Sequence, residues 1–157
     1  MATEIERKFL VSGESWRQHA DAGTAIRQGY LCAEKDRTVR LRLTATGATL
    51  TIKGAGAGIA RSEYEYAIPR KDGQEMLDTL CVGAPIAKTR YRVEYSGHVW
   101  EIDLFEGANA GLVLAEVELD SADEAVDLPG WAGREVSEDE RYYNAYLTRH
   151  PFGSWSA

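Results

Sequence analysis

The 157-residue chain is 44% hydrophobic and 27% charged, a composition typical of one ordinary globular domain. Its net charge of −7 argues against a nucleic-acid binder, which usually carries a basic excess on one face. No apolar run approaches the roughly 18 residues of a membrane span, and we expect no signal peptide. Cys32 and Cys81 are widely separated. We therefore predict a cytoplasmic protein with reduced thiols.

Strand-like segments dominate the chain. They alternate apolar and polar residues and are rich in β-branched and aromatic side chains. Turn signals such as Thr46-Gly47 and Ser96-Gly97 separate them, so we expect antiparallel hairpins. Residues 54–58 alternate Gly with Ala, which predicts a flexible hairpin tip, since no Lys-Ser or Lys-Thr pair follows to form a phosphate loop. The predicted strands cover about residues 3–11, 26–33, 37–45, 48–54, 61–69, 88–95, 98–106 and 111–120.

Helical signals are fewer than strand signals. Asp72 is a candidate N-cap for a helix whose apolar residues share one face. Ser137 is followed by Glu138 and Glu140, an acidic first turn that predicts another helix, and Pro151 should end it. The predicted helices cover about residues 13–21, residues 73–81, and the segment from Ser137 to about His150.

Five strand-like segments carry two like charges two positions apart. Side chains two apart lie on the same face of a strand, and the residues between them are mostly apolar or aromatic. Carboxylates bind hard metal ions, whereas Arg and Lys bind phosphates, so their convergence predicts metal-dependent chemistry on a polyphosphate. The pairs are Glu4 and Glu6 (leading on to Lys8), Arg40 and Arg42, Glu63 and Glu65, Glu101 and Asp103, and Glu116 and Glu118.

Eight mostly antiparallel strands need a closed or nearly closed sheet to avoid bare edges. We therefore predict one mainly β (α+β) domain over residues 1–150, with a few peripheral helices and a loose tail over residues 151–157. The charged faces would point inward and the apolar faces outward. Three short helices cannot cover the whole apolar exterior, so a homodimer is also predicted.

The ordered set of motifs resembles the CYTH proteins, also called triphosphate tunnel metalloenzymes, and among them the bacterial inorganic triphosphatases. Each motif is weak alone, but together they follow the family's order from residue 4 to about residue 144. The matching stretches are Glu4-Ile5-Glu6-Arg7-Lys8-Phe9-Leu10, Arg27-Gln28-Gly29-Tyr30-Leu31, Val39-Arg40-Leu41-Arg42, Thr51-Ile52-Lys53, Glu63-Tyr64-Glu65, Lys88-Thr89-Arg90-Tyr91, Glu101-Ile102-Asp103 and Ala115-Glu116-Val117-Glu118.

The resemblance implies an eight-stranded antiparallel β-barrel whose charged tunnel holds a triphosphate with one or two divalent metals, Mg²⁺ or Mn²⁺. The metal ligands that it implies are Glu4, Glu6, Glu116 and Glu118. The implied phosphate-binding residues are Lys8, Arg40, Arg42, Lys53 and Arg90. Three further acidic residues are expected either to support the metal ligands or to bind a second metal: Glu63, Glu65 and Asp103.

Lys88 is the candidate catalytic amine. Arg90 shares its strand face, and burial beside cations lowers the pKa of a lysine, so a neutral Lys88 can deprotonate the attacking water. The resemblance suggests Tyr30 as its hydrogen-bond partner. The alternative is that Lys88 is one more phosphate-binding cation.

The predicted function is divalent-metal-dependent hydrolysis of a linear triphosphate, inorganic tripolyphosphate to pyrophosphate and phosphate. The expected partner is this small-molecule substrate, with neither nucleic acid nor membrane. Enzymatic alternatives are a class IV-type adenylate cyclase and a thiamine or nucleoside triphosphatase. The alternative from another class is a non-catalytic polyphosphate-binding module, because binding and catalysis use the same cations.

Overall fold

The computed structural model describes residues 3–155, and most of them belong to one antiparallel sheet. Its strands are β1 (Thr3–Val11), β2 (Thr24–Glu34), β3 (Arg37–Leu43), β4 (Ala48–Ala57), β5 (Ala60–Ile68), β6 (Val82–Tyr95), β7 (His98–Phe105), β8 (Val113–Glu118) and β9 (Ala132–Glu135). Strand order runs β5-β4-β3-β2-β6-β7-β8-β1, and β1 pairs back with β5, which closes an eight-stranded barrel. The predicted antiparallel barrel is confirmed. The sequence did not predict β9, which pairs with the end of β1.

The two-residue period of the strands sorts side chains between the inside and the outside of the barrel. Lys8 of β1 lies opposite Glu116 of β8, and Arg42 of β3 lies opposite Gln28 of β2. Their neighbours along the chain point the other way: Phe9 is 1% exposed and packs in the largest apolar cluster. The inside is therefore charged and the apolar core lies on the outer face.

Three apolar clusters cover much of this outer face. One gathers tryptophans, with Trp100 of β7 packed between Phe9 and Trp131. A second lies beneath the C-terminal segment, and a third lies beneath the helix that follows β5. Exposed Tyr64 and Tyr66 remain on β5. The chain thus covers much of its own exterior with these clusters, and the homodimer stays a prediction.

The helices differ from their predictions. Helix α1 (Arg70–Thr79) begins directly after Pro69, so Asp72 lies inside its first turn and is not the cap. Pro69 is itself the N-cap: its ψ of 133° is not helical, and its carbonyl accepts from the N–H of Gly73. The segment predicted at 13–21 is a 3₁₀ helix over Ser15–His19. No helix in residues 3–155 is long and apolar enough to cross a membrane.

The predicted C-terminal helix is broken. A 3₁₀ helix over Glu140–Tyr142, capped by the Asp139 side chain, is followed by extended backbone at Tyr143 and then by α2 (Asn144–Leu147). Ser137 therefore does not cap a helix. Residues 151–155 were predicted to be loose, but they form a packed turn in which Trp155 contacts the rings of Tyr142 and Phe152. Residues 156 and 157 lie outside the described residues.

Strand β6 holds the C-terminal segment against the barrel through a glycine. The N–H of Ala84 donates to the carbonyl of Thr148 at 2.8 Å. Gly83 has a φ of 67°, and a Cβ atom there would lie 2.7 Å from the same carbonyl oxygen. Only glycine allows this close approach. In the same C-terminal segment, Asn144, the first residue of α2, lines the barrel interior.

Candidate functional site

The barrel encloses a cavity of about 1030 Å³, lined by residues from all eight of its strands and from the C-terminal segment. Cations and carboxylates line it in nearly equal numbers, as the charge pairs in the sequence predicted. Of the predicted site residues, only Asp103 lies behind the described lining. The others form the cavity wall: Glu4, Glu6, Lys8, Tyr30, Arg40, Arg42, Lys53, Glu63, Glu65, Lys88, Arg90, Glu116 and Glu118.

One part of the wall is a group of glutamates around Lys53. The Lys53 ammonium lies 2.8 Å from Glu4 and 3.6 Å from Glu63. Burial opposes ionisation of Glu4, but the attraction of Lys53 outweighs it and lowers the Glu4 pKa. By contrast, burial together with the charges of Glu116 and Glu4 raises the Glu6 pKa well above its ordinary value. This part of the wall therefore has more carboxyl groups than cations, and the carboxylate form of Glu6 is disfavoured.

Glu116 links the glutamate group to the cations deeper in the barrel. It lies 3.6 Å from Lys8 and 3.7 Å from Arg90. Burial opposes its ionisation, yet these two cations lower the Glu116 pKa to about 2. The ammonium of Lys8 also donates to the backbone carbonyl of Tyr142 and lies over the Tyr143 ring. Glu116 is thus an anion held between two of the predicted phosphate-binding cations.

The two arginines of β3 supply positive charge that the protein neutralises incompletely. Arg40 donates to Thr51 at 3.2 Å and lies 3.8 Å from Glu65. Its Nε is buried and has no hydrogen-bond partner among the described residues. Burial, with the nearby charges of Arg40 and Arg90, lowers the Arg42 pKa to about 10. A buried cation with an unused donor suits an anionic ligand.

Lys88 is buried at the base of the cavity. Its ammonium donates to Asp103 at 2.7 Å and to Asn144 at 2.9 Å. Burial, strengthened by the charges of Arg90 and Arg42 and opposed by Asp103, lowers the Lys88 pKa to about 7. A lysine with this pKa is partly neutral near neutral pH, which is what a general base needs.

Asp103 is enclosed by cations. Arg90 donates to its two oxygens at 2.7 and 2.9 Å, and Lys88 donates to one of them. Burial alone would raise its pKa, but Lys88 and Arg90 hold the Asp103 pKa well below its usual range. Because both oxygens already accept from cations, the structure favours a role for Asp103 in anchoring Lys88 and Arg90 over a role in binding metal.

The expected hydrogen bond between Lys88 and Tyr30 is not among those of residues 3–155. Lys88 lies opposite Ile26 in the β2–β6 register, and Tyr30 is four residues farther along β2, which is about 13 Å. Tyr30 is buried, lines the cavity and lies opposite Arg40 on β3. The register therefore brings Tyr30 to the cavity, but the partners of Lys88 are Asp103 and Asn144.

The glutamates fit a hard divalent metal by their chemistry. Mg²⁺ and similar ions prefer carboxylate oxygens. Burial and the charges of Glu116 and Glu4 raise the Glu6 pKa, and a bound cation would stabilise its carboxylate. They are not already gathered for this purpose: among residues 3–155, no group of three or more His, Cys, Asp or Glu side chains surrounds a metal position. Glu4 and Glu116 instead pair with lysine and arginine.

Sequence reasoning missed several residues of the cavity. Gln28 is fully buried and binds both Arg42 and Asn144, and its position two residues before Tyr30 on the same strand could have signalled this. Asn144 and Tyr143 come from a segment that was predicted to be helical throughout, so no pattern placed them in the barrel. Arg61 also lines the cavity and faces the Tyr143 ring.

Comparisons with known proteins agree with this architecture. The chain is 44% identical over 152 residues to the inorganic triphosphatase of Acetivibrio thermocellus, covering 97% of each chain. It is 41% identical over 150 residues to the inorganic triphosphatase of Nitrosomonas europaea, covering 92% of this chain and 96% of that one. The crystal structure of an inorganic triphosphatase, 37% identical, superposes with a TM-score of 0.65 over 94% of this chain and 95% of its own. The CYTH domain matches residues 2–146, and the chain belongs to the CYTH domain family.

Proposed function

We propose that this protein hydrolyses inorganic tripolyphosphate to pyrophosphate and phosphate. The observation that carries the proposal is the ring of inward-facing cations in a closed barrel, where Arg40 has a buried donor without a partner among the described residues. A compact, linear polyanion matches such a cavity. The relatives named as inorganic triphosphatases, at 44% and 41% identity over nearly the whole chain, support this substrate class.

When the substrate binds, its phosphate groups replace glutamate carboxylates as the partners of the cations in the cavity. Lys53 pairs with Glu4, and Lys8 and Arg90 pair with Glu116. Phosphate oxygens offer the same charge-assisted hydrogen bonds, so binding exchanges one anion for another and leaves no buried cation unpaired. The phosphate-binding set in this proposal is Lys8, Arg40, Arg42, Lys53 and Arg90.

Mg²⁺ or Mn²⁺ is the proposed cofactor. The residues that would hold it are Glu4, Glu6, Glu116 and Glu118, the carboxylates whose mutual repulsion a cation relieves. When bound, a divalent metal neutralises phosphate charge and stabilises the departing pyrophosphate. Glu63 and Glu65 lie beside Lys53 and Arg40 and orient these cations.

Lys88 acts as the general base in the hydrolytic step. Its neutral amine accepts a proton from a water molecule while the water oxygen forms a bond to the terminal phosphorus. The bond from that phosphorus to the bridging oxygen breaks, and pyrophosphate leaves with the bonding electrons. Arg90 and Arg42, close to Lys88, stabilise the negative charge on the transferred phosphoryl group.

Phosphate release measured with tripolyphosphate and Mg²⁺ tests this function. Activity should disappear in excess EDTA and return with Mg²⁺ or Mn²⁺. Lys53→Met removes a cavity cation and should raise the KM by about tenfold or more, by the loss of a charged hydrogen bond, whereas Lys71→Met, on the exposed part of α1, should behave like wild type.

Parallel assays identify the alternatives. If phosphate is released faster from ATP or thiamine triphosphate than from tripolyphosphate, the faster compound is the preferred substrate. Pyrophosphate should be a poor substrate. Release of pyrophosphate from ATP with formation of a cyclic nucleotide would indicate a cyclase. Tight calorimetric binding of tripolyphosphate without any release of phosphate would instead support a binding module and overturn the proposed hydrolysis.

A further inference from the structure

We propose that Gln28 and Asn144 are positioning residues that fix the direction in which the Lys88 amine faces the substrate. This inference rests on the proposed function, because it concerns the same hydrolytic step. It identifies a relay of hydrogen bonds that begins at Arg42 on β3 and ends at Lys88 on β6, crossing β2 and the start of α2.

The relay consists of short contacts in a buried place. Arg42 Nε donates to Gln28 Oε1 at 2.9 Å. Gln28 Nε2 donates to Asn144 Oδ1 at 2.7 Å, and Lys88 Nζ donates to the same oxygen at 2.9 Å. Gln28 is fully buried, so water does not compete for its amide. Four residues that are distant in sequence therefore share one continuous network.

The direction of each bond follows from the arginine. A guanidinium can only donate hydrogen bonds, so Gln28 must turn its oxygen toward Arg42 and its NH₂ group toward Asn144. Asn144 must then turn its oxygen toward Gln28. That same oxygen faces Lys88 and is able to accept from it. Arg42 thus sets the orientation of the Gln28 and Asn144 amides, and as a result Lys88 faces the Asn144 oxygen, which is an acceptor.

An acceptor at this position orients the lone pair of the neutral amine. A protonated lysine has three N–H donors, and a neutral one has two N–H donors and one lone pair. Asp103 Oδ2 and Asn144 Oδ1 accept two N–H bonds from Lys88. The remaining tetrahedral direction is then left for the lone pair, and Lys88 lines the cavity in which the water and the phosphate meet. The relay therefore orients the lone pair of Lys88 toward the cavity.

Two variants that add the same charge test the relay. Asn144→Asp keeps an acceptor for both Lys88 and Gln28. Gln28→Glu keeps the acceptor for Arg42 but removes the donor to Asn144, so the Asn144 amide turns over and presents its NH₂ group to Lys88. If the network only stabilises the fold, both substitutions should change kcat to a similar extent. If it positions Lys88, kcat should fall mainly in Gln28→Glu, where Asn144 presents a donor instead of an acceptor to Lys88.

The expected kinetics differ between the two variants. For Asn144→Asp, kcat at the optimal pH should stay within about tenfold of wild type, and the added carboxylate should move the midpoint of the rate–pH profile upward by about 1–3 pH units. For Gln28→Glu, kcat should fall by about 100-fold at every pH, toward the lower end of what a general base contributes, and KM should also rise because the new carboxylate pairs with Arg42. The other charges around Lys88 stay in place: Asp103, Arg90, Arg42 and Glu116.

A second readout does not require activity. The chain has five lysines, so the side-chain NMR signals of isotopically labelled lysine can be assigned and the Lys88 signal titrated directly. We expect the Lys88 pKa to be higher in Asn144→Asp than in Gln28→Glu. The control is Asn109→Asp, a buried carboxamide outside the cavity lining that accepts from the N–H of Phe152; its rate–pH profile should match wild type.

Equal loss of kcat in both variants, wild-type kcat in Gln28→Glu, or identical Lys88 titrations would each overturn the relay. If either variant fails to fold, as judged by thermal melting, Gln28→Met and Asn144→Leu remove the same hydrogen bonds without adding charge. Both should lower kcat more than they raise KM, and unchanged kcat in either would again reject the role. Wild-type protein that releases no phosphate from tripolyphosphate would refute the proposed function, while the Lys88 titration would still test the relay.

Discussion

Replacing Asp103 with Asn tests how far the buried ion network stabilises the barrel. Asp103 and Lys88 each have side chains that are 1% exposed, and Arg90 binds both carboxylate oxygens. Asparagine has the same size, but it removes the charge and turns an NH₂ group toward a cation. Breaking a buried pair in this way leaves its partners uncompensated, which costs about 3–5 kcal/mol in the free energy of unfolding.

This loss is large enough to measure by thermal and urea unfolding. For chains of about 150–250 residues, each kcal/mol lowers Tm by roughly 2–4 °C, so Asp103→Asn should lower Tm by about 6–20 °C. The pKa of Asp103 is held below its usual range, so wild type has this stabilisation above the ordinary aspartate pKa of about 3.9. The difference between the two proteins should therefore shrink as the pH falls below that value.

Glu101→Gln provides the matched control. Glu101 is on the same strand and lies 3.3 Å from the same Arg90, but its side chain is 34% exposed. Water and salt screen such a pair, so its removal should cost at most about 1 kcal/mol. A Tm for Asp103→Asn within about 2 °C of that for Glu101→Gln would refute the reasoning, because burial of the pair would then have no energetic consequence.

Three further predictions concern Glu6 and Lys88 in the cavity and Gly83, which packs against the C-terminal segment. Glu6→Gln should raise Tm in EDTA, because burial and the charges of Glu116 and Glu4 disfavour a carboxylate there and raise the Glu6 pKa, and should reduce the further rise on adding Mg²⁺; a lower Tm in EDTA would contradict this. Lys88→Arg and Lys88→Ala should both lower kcat by about a hundredfold or more if Lys88 is the base, whereas an active Lys88→Arg enzyme with a flat pH profile would leave only phosphate binding. Gly83→Ala, which drives a Cβ toward Thr148, should cost about 1–3 kcal/mol in urea unfolding, while Gly47→Ala, which meets no neighbour, should cost much less.

The strands and most of the cavity wall could be predicted because both depend on a local rule. Side chains two apart share a face, so Glu4, Glu6 and Lys8 point to the same side whatever the rest of the chain does. Antiparallel register then brings Lys8 opposite Glu116. The charge pattern of one strand thus predicts the lining of the barrel, even without knowledge of its neighbours.

The C-terminal segment could not be predicted in the same way, because tertiary contacts decide its shape. Its acidic start indicated one long helix, but Tyr143 adopts extended backbone and its ring faces Lys8 and Arg61 in the cavity. The close approach of Gly83 to Thr148 holds the segment against β6. Local helix propensity is worth less than these contacts. No local pattern therefore indicates that Lys88 binds Asn144 instead of Tyr30.

The ion pairs of the barrel fall into two kinds, and their burial explains why both are present. Glu4 and Lys53, with side chains 10% and 16% exposed, pair at the cavity wall, where we propose that an incoming phosphate takes the carboxylate's place. Asp103 lies behind the wall, so substrate cannot displace it from Lys88 and Arg90. If every ion pair in the barrel could be replaced by substrate, Lys88 would lose its fixed position whenever substrate bound. We therefore expect the Asp103 contacts to keep Lys88 and Arg90 in position while the substrate displaces the pairs in front of them.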